Sequence, residues 1–361
     1  MTRCRSARIG TGDRRSLYLP STRWSALWHT ASRLPDTLQR SKRCLERIST
    51  MATQTGTRAD VDVMAQQLSN WGRWGPEDER GALNFITPEV SAAAAALVSD
   101  GVTVSCALEL AKTPAADNPT PVTHFMTGAG DVSGLGGLRG LEATGDGFMI
   151  SPHGMANTHI DALCHILDDG KMYNGFPASD VLSTGAEKNS IMGLEQGIST
   201  RGVLLDIARV RGVDWLELGE GISVADLEAA EAAQGVTVRS GDILLVRTGR
   251  DSRREAEGAW PPFSGMAGLL METLPWIRER EVAILGCDGV SDMVPSNIED
   301  SPLPIHHIII TYMGVHLIDN ARLGPVAEAC AERNRWEFLL TIAPLRLVGG
   351  TASPINPIAM F

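Results

Sequence analysis

His153-Gly154-Met155-Ala156-Asn157-Thr158-His159-Ile160-Asp161-Ala162-Leu163-Cys164-His165 gathers three of the chain's eight histidines and a carboxylate into one short stretch. A lone histidine is usually an ordinary surface or core residue. Several beside an aspartate are better read as ligands for a borderline or hard divalent cation. In an extended strand, positions 153, 155, 157, 159 and 161 share one face. The side chains of His159 and Asp161 then emerge about 6–7 Å apart, close enough to converge on one ion. Asp161 and His165 are four apart, a spacing that suits one helical turn or a tight turn at the strand's end. His153 precedes His159 by six residues, about 20 Å if the chain stays extended. Gly154 permits a bend. With the bend His153 is a ligand; without it, His153 lies at the pocket wall. Asn157 is nearer, but an amide oxygen is a weak ligand for zinc, so Asn157 is read as substrate-facing.

A second cluster lies downstream, with His306-His307 opening an apolar run and Asp319-Asn320 closing it. A straight helix over this run would separate the two ends by about 18–20 Å. They meet only if the helix is short and the chain folds back. A helix N-cap role for the histidines is the plainer alternative.

The 361 residues are 43% hydrophobic and 21% charged, a composition for a globular protein. No apolar run approaches the roughly 20 residues that cross a bilayer. The net charge of −11 argues against nucleic acid and anionic membrane as partners, since both require basic surface. Six cysteines are scattered with no CxxC pair, which predicts reduced thiols and a cytoplasmic location. Residues 1–50 carry eleven Lys/Arg against three acids. An Arg-rich transit peptide fits this composition; so does an extension upstream of a start at Met51, the reading taken here. Residues 1–55 are expected to be disordered, and 56–361 to form a single domain.

Local signals outline that domain. Thr87-Pro88 caps a helix running to about Val98. Val102–Leu110 alternates like a strand. Residues 112–148 show no strong period and read as long active-site loops. Gly202–Ile207, Asp242–Arg247, Val282–Leu285 and Glu337–Ala343 read as strands. Helices are expected over about 224–233 after the cap Ser223, from Thr273 to about Arg280, over His306–Ile318, and over Leu323–Arg333. This alternation predicts an α/β fold with a mixed β-sheet.

The two clusters together resemble the cyclase family, the group that includes bacterial kynurenine formamidases and isatin hydrolases. Its first motif is His-x-Gly-Thr-His-x-Asp-x-x-x-His; Thr158-His159-Ile160-Asp161 and His165 match the latter part. Its second is a downstream His followed, twelve or thirteen residues on, by Glu-Asn; His306 or His307 with Asp319-Asn320 is similar. Gly286-Cys287-Asp288-Gly289-Val290-Ser291 and the closing Gly349-Gly350-Thr351-Ala352-Ser353-Pro354 also resemble family stretches. The likeness runs from about Trp71 to Phe361. Met155 stands where the family's first His is usual, Asn157 where Gly is, and Asp319 where Glu is. His153-Gly154 fits a longer form of the motif.

The resemblance implies a swivelling β/β/α cyclase-like fold, one or two Zn²⁺ or Mn²⁺ ions, and a homodimer or homotetramer. It implies His159, Asp161, His153, His306 or His307, and Asp319 as metal ligands. The reaction expected is hydrolysis of an amide, cyclic or N-formyl aryl, by a metal-activated water. His165 would serve as general base and then acid. His124, in Thr123-His124-Phe125-Met126, and Trp260, in the loop over 250–265, are candidates to line the pocket for a small-molecule substrate; an ordinary surface role for His124 is equally open. Two alternatives use the same residues: a polyketide-type cyclase or dehydratase, and a non-catalytic metal- or ligand-binding homologue.

Overall fold

Four runs, Ile198–Asp206, Ile243–Arg247, Ile284–Cys287 and His316–Asp319, are buried along almost their whole length. Short runs this rich in Val, Leu and Ile have no polar face to offer water, so they become central strands covered on both sides. The computed structural model describes residues 56–131 and 143–361. The expected extension over 1–55, and residues 132–142 of the expected loop, lie outside the described residues. Thr55–Phe361 form one compact unit.

Its centre is a nine-stranded sheet. The strands are β1 (Thr103–Ser105), β2 (His159–Asp161), β3 (Ile198–Asp206), β4 (Ile243–Arg247), β5 (Ile284–Cys287), β6 (His316–Asp319), β7 (Glu337–Ile342), β8 (Ala352–Pro354) and β9 (Ile358–Met360). Their spatial order is β1-β9-β7-β3-β4-β5-β6-β2-β8. The pairs β3/β4, β4/β5 and β5/β6 are parallel. The pairs on either side are antiparallel. This is the mixed α/β architecture expected.

Parallel neighbours need long crossovers, and each crossover here contains helix. Val224–Gln234 is started by a capping box between Ser223 and Asp226 and stopped by Gly235 at φ +65°. The helix Pro88–Ala95 starts where expected, with the Thr87 side chain accepting from the Val90 amide. Leu274–Glu279 and Gly324–Arg333 also lie where the sequence places them.

Three expectations are corrected. Residues 112–148 are not all loop: Thr123–Gly128 and Gly145–Met149 pair as an antiparallel hairpin. Neither strand buries a face, so no period-two pattern of apolar residues marks it. Part of the loop over 250–265 is the helix Arg250–Glu257. The third correction decides the site. The run after His306 is helical only over Pro304–Thr311, and the chain then turns and returns as β6. Ile308-Ile309-Ile310 carries no periodicity that separates buried helix from buried strand. The turn passes through Gly314 at φ +67°, and Val315 N–H donates back to the Ile309 carbonyl at 2.9 Å.

Among the described residues no helix is long and apolar enough to cross a membrane. Cys106, Cys164, Cys287 and Cys330 are free and buried.

Gly314 carries two constraints. Its φ disfavours any side chain, and a Cβ there would lie 2.3 Å from the Tyr173 ring. Gly314→Ala is expected to cost about 2 kcal/mol or more, read as a lowered denaturation midpoint with an unchanged denaturant slope.

Candidate metal centre

Strand β2 is only His159–Asp161; the residues before it are irregular. Gly154 takes φ +124°, and the chain bends there instead of running extended. The bend brings His153 Nδ1 to 3.0 Å from Asp161 Oδ1. His159 Nε2 lies 3.5 Å from the same oxygen, because residues two apart on a strand share a face. His165 Nε2 is 3.9 Å from Asp161 Oδ2, and its ring stacks on His153 with centroids 3.7 Å apart.

The second cluster joins the first across the sheet. In β6, Asp319 pairs in register with His159 of β2. The turn at Gly314 returns the chain to the start of its own helix, so His306 Nε2 lies 3.3 Å from Asp319 Oδ2 and 3.9 Å from Asp161 Oδ2. Two groups of donor atoms result: His153, His159 and Asp161, and Asp161, His306 and Asp319. Asp161 belongs to both.

The donor chemistry fits a divalent cation. His159 Nδ1–H donates to the Asn157 carbonyl at 2.9 Å, which leaves the Nε2 lone pair facing the cluster. His306 Nδ1–H donates to Asp292 Oδ2 at 2.6 Å, leaving its Nε2 likewise. His153 uses Nε2 on the Thr351 hydroxyl at 3.0 Å, leaving Nδ1. Such outer contacts fix the tautomer of a ligating imidazole. Among the described residues His153 Nδ1, Asp161 Oδ1 and Asp319 Oδ1 are buried without a hydrogen-bond partner, although His153 Nδ1 and Asp161 Oδ1 lie 3.0 Å apart. Buried polar atoms are rarely left this way.

The electrostatics agree. Burial alone would raise the Asp161 carboxyl, but the adjoining His153 imidazole and the fields of His159, His165 and His306 hold it below the usual carboxylate range. Burial works against a charge on His306, yet Asp319 and Asp292 hold its pKa well above the ordinary imidazole value. A site that attracts a proton this strongly attracts other cations, and a metal would compete for the same lone pair. His165 goes the other way: burial pushes it down to about 4, outweighing the attraction of Asp161.

Other predicted residues fall elsewhere. His307 joins neither group. Successive helix residues point about 100° apart, and its Nε2 lies 2.9 Å from Asp168 Oδ2, on a carboxylate that accepts from the Tyr312 hydroxyl. His124 contacts Lys112 and Asp146 on the exposed hairpin. Trp260 donates to the Gly265 carbonyl at 3.0 Å and lines a separate pocket with Arg250 and Met266. The Asn157 side chain donates to the Ser151 carbonyl at 3.2 Å; it is the Asn157 main chain that serves His159. Asp288, in the Gly286–Ser291 motif, accepts from the amides of Thr248, Gly249 and Arg250, and so braces the end of β4.

Sequence reasoning missed Asp292. It follows that motif directly, and its carboxylate takes the amides of Ile305 and His306 as well as the His306 ring. An aspartate next to a family-like motif was the available signal.

Fold and cluster together define the class: a mixed α/β protein with a buried histidine–carboxylate centre able to hold a divalent cation. A family model described as "Putative cyclase" matches residues 110–292. A crystal structure described as that of a novel cyclase is 33% identical, covering 81% of this chain and 99% of its own, with a TM-score of 0.73. The chain belongs to the cyclase family. Isatin hydrolase A from Ralstonia solanacearum shares the fold at 20% identity, covering 76% of this chain and 97% of its own, with a TM-score of 0.52. Isatin hydrolase A from Labrenzia aggregata, solved with benzyl benzoate, does so at 18%, covering 75% and 96%, with a TM-score of 0.52. No curated protein matches the chain.

These contacts separate the neighbouring histidines. His306→Ala should weaken zinc binding by about a hundredfold or more, and Asp292→Ala by about 10–100-fold. His307→Ala should bind zinc as the wild type does. Competition titration of metal-stripped protein against a chromogenic chelator ranks the three.

Proposed function

We propose that this protein is a metal-dependent hydrolase of amides, acting on a cyclic amide or an N-formyl aryl amine. The observation that carries the reading is Asp161, a buried carboxylate shared by a His/His/Asp group and an Asp/His/Asp group. Imidazole and carboxylate ligands suit Zn²⁺ or Mn²⁺. A divalent cation held there supplies Lewis acidity and an acidified water near neutral pH. His153, His159, Asp161, His306 and Asp319 hold it.

His165 is the group left to move protons. Its ring lies against His153 at the more open side of the cluster, with 27% of the side chain exposed. As the attacking water's oxygen bonds to the amide carbon, Nε2 of neutral His165 takes a proton. It returns that proton to the nitrogen as the C–N bond breaks, so the product gains one water. The isatin hydrolases are named for a cyclic amide, which makes that class the first to try.

The second reading, a cyclase or dehydratase on the same residues, is favoured by the description of the 33%-identical structure as a cyclase. Product mass separates the two, since hydrolysis adds a water and dehydration removes one. We further propose a homo-oligomer, most simply a dimer, formed through the hairpin, where Phe125, Met126, Phe148 and Met149 are all more than half exposed.

The test is a screen of isatin, small cyclic amides and N-formyl aryl amines with zinc- or manganese-loaded protein. His165→Ala should lower kcat by about 10²–10⁴-fold with metal content unchanged. Activity that survived verified metal removal would overturn the mechanism. Loaded protein that turned over no substrate of either class would favour the non-catalytic homologue.

A further inference from the structure

Asn320 is absent from both donor groups, yet its side chain touches the two arms of the bend that carries the first one. Building on the reading of His153, His159 and Asp161 as a cation site, we propose that Asn320 is a positioning residue: its amide clamps the Gly154–Asn157 bend in the shape that aims both histidines at one ion.

Asn320 follows Asp319 at the end of β6 and is fully buried. Its backbone is itself tightly held. The amide donates to the Gly289 carbonyl at 2.8 Å, and the carbonyl accepts from the Thr158 hydroxyl at 2.6 Å. From this fixed base Nδ2 donates to the Gly154 carbonyl at 2.7 Å and to the Asn157 carbonyl at 3.1 Å. The first of these carbonyls belongs to the residue next to His153. The second also accepts from His159 Nδ1, so one amide group controls the approach of one histidine and the tautomer of the other.

The orientation of the side chain follows from its neighbours. Both are carbonyl oxygens, and a primary amide has two N–H donors to give them. Turned over, it would set its own oxygen against two acceptors. In the orientation present, Oδ1 is buried with no partner among the described residues. An unpartnered buried acceptor costs stability, so the residue is kept for its donors. Asparagine also suits the backbone, which is left-handed here at φ +55°. Besides the His159 ring on the Asn157 carbonyl, the side-chain bonds to the segment among the described residues are two, the Arg250 guanidinium on the Met155 carbonyl at 2.7 Å and the Asn157 amide on Ser151. Neither reaches the two carbonyls flanking the bend. His306 of the second donor group is held separately, by Asp292.

Two substitutions isolate the amide. Asn320→Asp is isosteric but, when ionised, offers only acceptors to the two carbonyls. Asn320→Gly tolerates the positive φ and removes the side chain, and it decides the matter if Asn320→Asp does not fold. Each is titrated with Zn²⁺ after metal removal, beside wild type and His153→Ala, and melted with and without Zn²⁺. The expected result is Zn²⁺ binding weakened by about 10–100-fold, in the direction of His153→Ala, with a smaller rise in Tm on adding Zn²⁺ than wild type shows. A purely structural role would lower the metal-free Tm and leave both the affinity and the Zn²⁺-induced rise at wild-type values; that result overturns the proposal. Wild-type protein that binds no Zn²⁺ would instead overturn the reading of the site itself.

Discussion

Asp161 is a buried carboxylate at the meeting point of four imidazoles, and much of the surrounding structure serves to keep it there. An unpaired buried charge costs several kcal/mol, so the chain must bring compensating groups from several directions. It does so with four different devices. His159 comes from the same strand, His153 from a bend, His165 from the turn after the strand, and His306 from the first turn of a helix. The Asp161 main chain is tied as well: His316 Nδ1–H donates to its carbonyl at 2.8 Å. Burial depresses His316 to about 4, with the Asp161 contacts opposing. It therefore stays neutral and adds a hydrogen bond without adding charge.

The sheet explains how residues so far apart in sequence arrive together. The parallel strands β3 to β6 place helix starts at one end, and β2 enters between β6 and β8 in antiparallel register. A three-residue strand between two partners aligns three residues only, and two of them are His159 and Asp161. On the far side, Asp292 satisfies two amides at the start of the helix Pro304–Thr311 and grips the His306 ring with the same carboxylate. Capping of the helix and orientation of the His306 ring are thus one interaction. Its placement depends on Gly268, where a Cβ would lie 2.3 Å from the Asp292 carbonyl carbon.

How much of this was legible follows from the physics of each signal. His159 and Asp161 were readable because strand geometry is local and has period two. The capped helices at Thr87 and Ser223 were readable because the capping residue and its partner lie within three positions. His153 depended on a backbone angle at Gly154 that glycine allows but does not dictate. The choice between His306 and His307 depended on where the helix sits relative to the sheet, a tertiary fact. The fold-back at Gly314 was hidden inside an apolar run that suits helix and strand equally. Asn320 stood out only as part of the Asp319-Asn320 pair and Asp292 only as the neighbour of the Gly286–Ser291 stretch; both bond main-chain groups of distant segments, and no spacing in the sequence encodes those contacts. The hairpin at Thr123–Met149 escaped because its alternation serves no buried face.

The two donor groups are not equivalent, and the difference bears on where a substrate comes in. His306 and Asp319 are 6% and 5% exposed at the side chain, and Asp292 behind them is fully buried. His153 and His165 are 28% and 27% exposed and lie ring on ring. One flank of the centre is closed and rigidly braced; the other opens through a stacked pair of imidazoles. On the reaction proposed above, a substrate would approach from the open flank, where it would meet the one histidine of the cluster that sits in neither donor group. The bend at Gly154 therefore does more than complete a donor group. By setting His153 against His165, it also holds the His165 ring on the open flank, so the departure from extended strand that completes one donor group orients the ring to which the proposed reaction assigns the proton transfers.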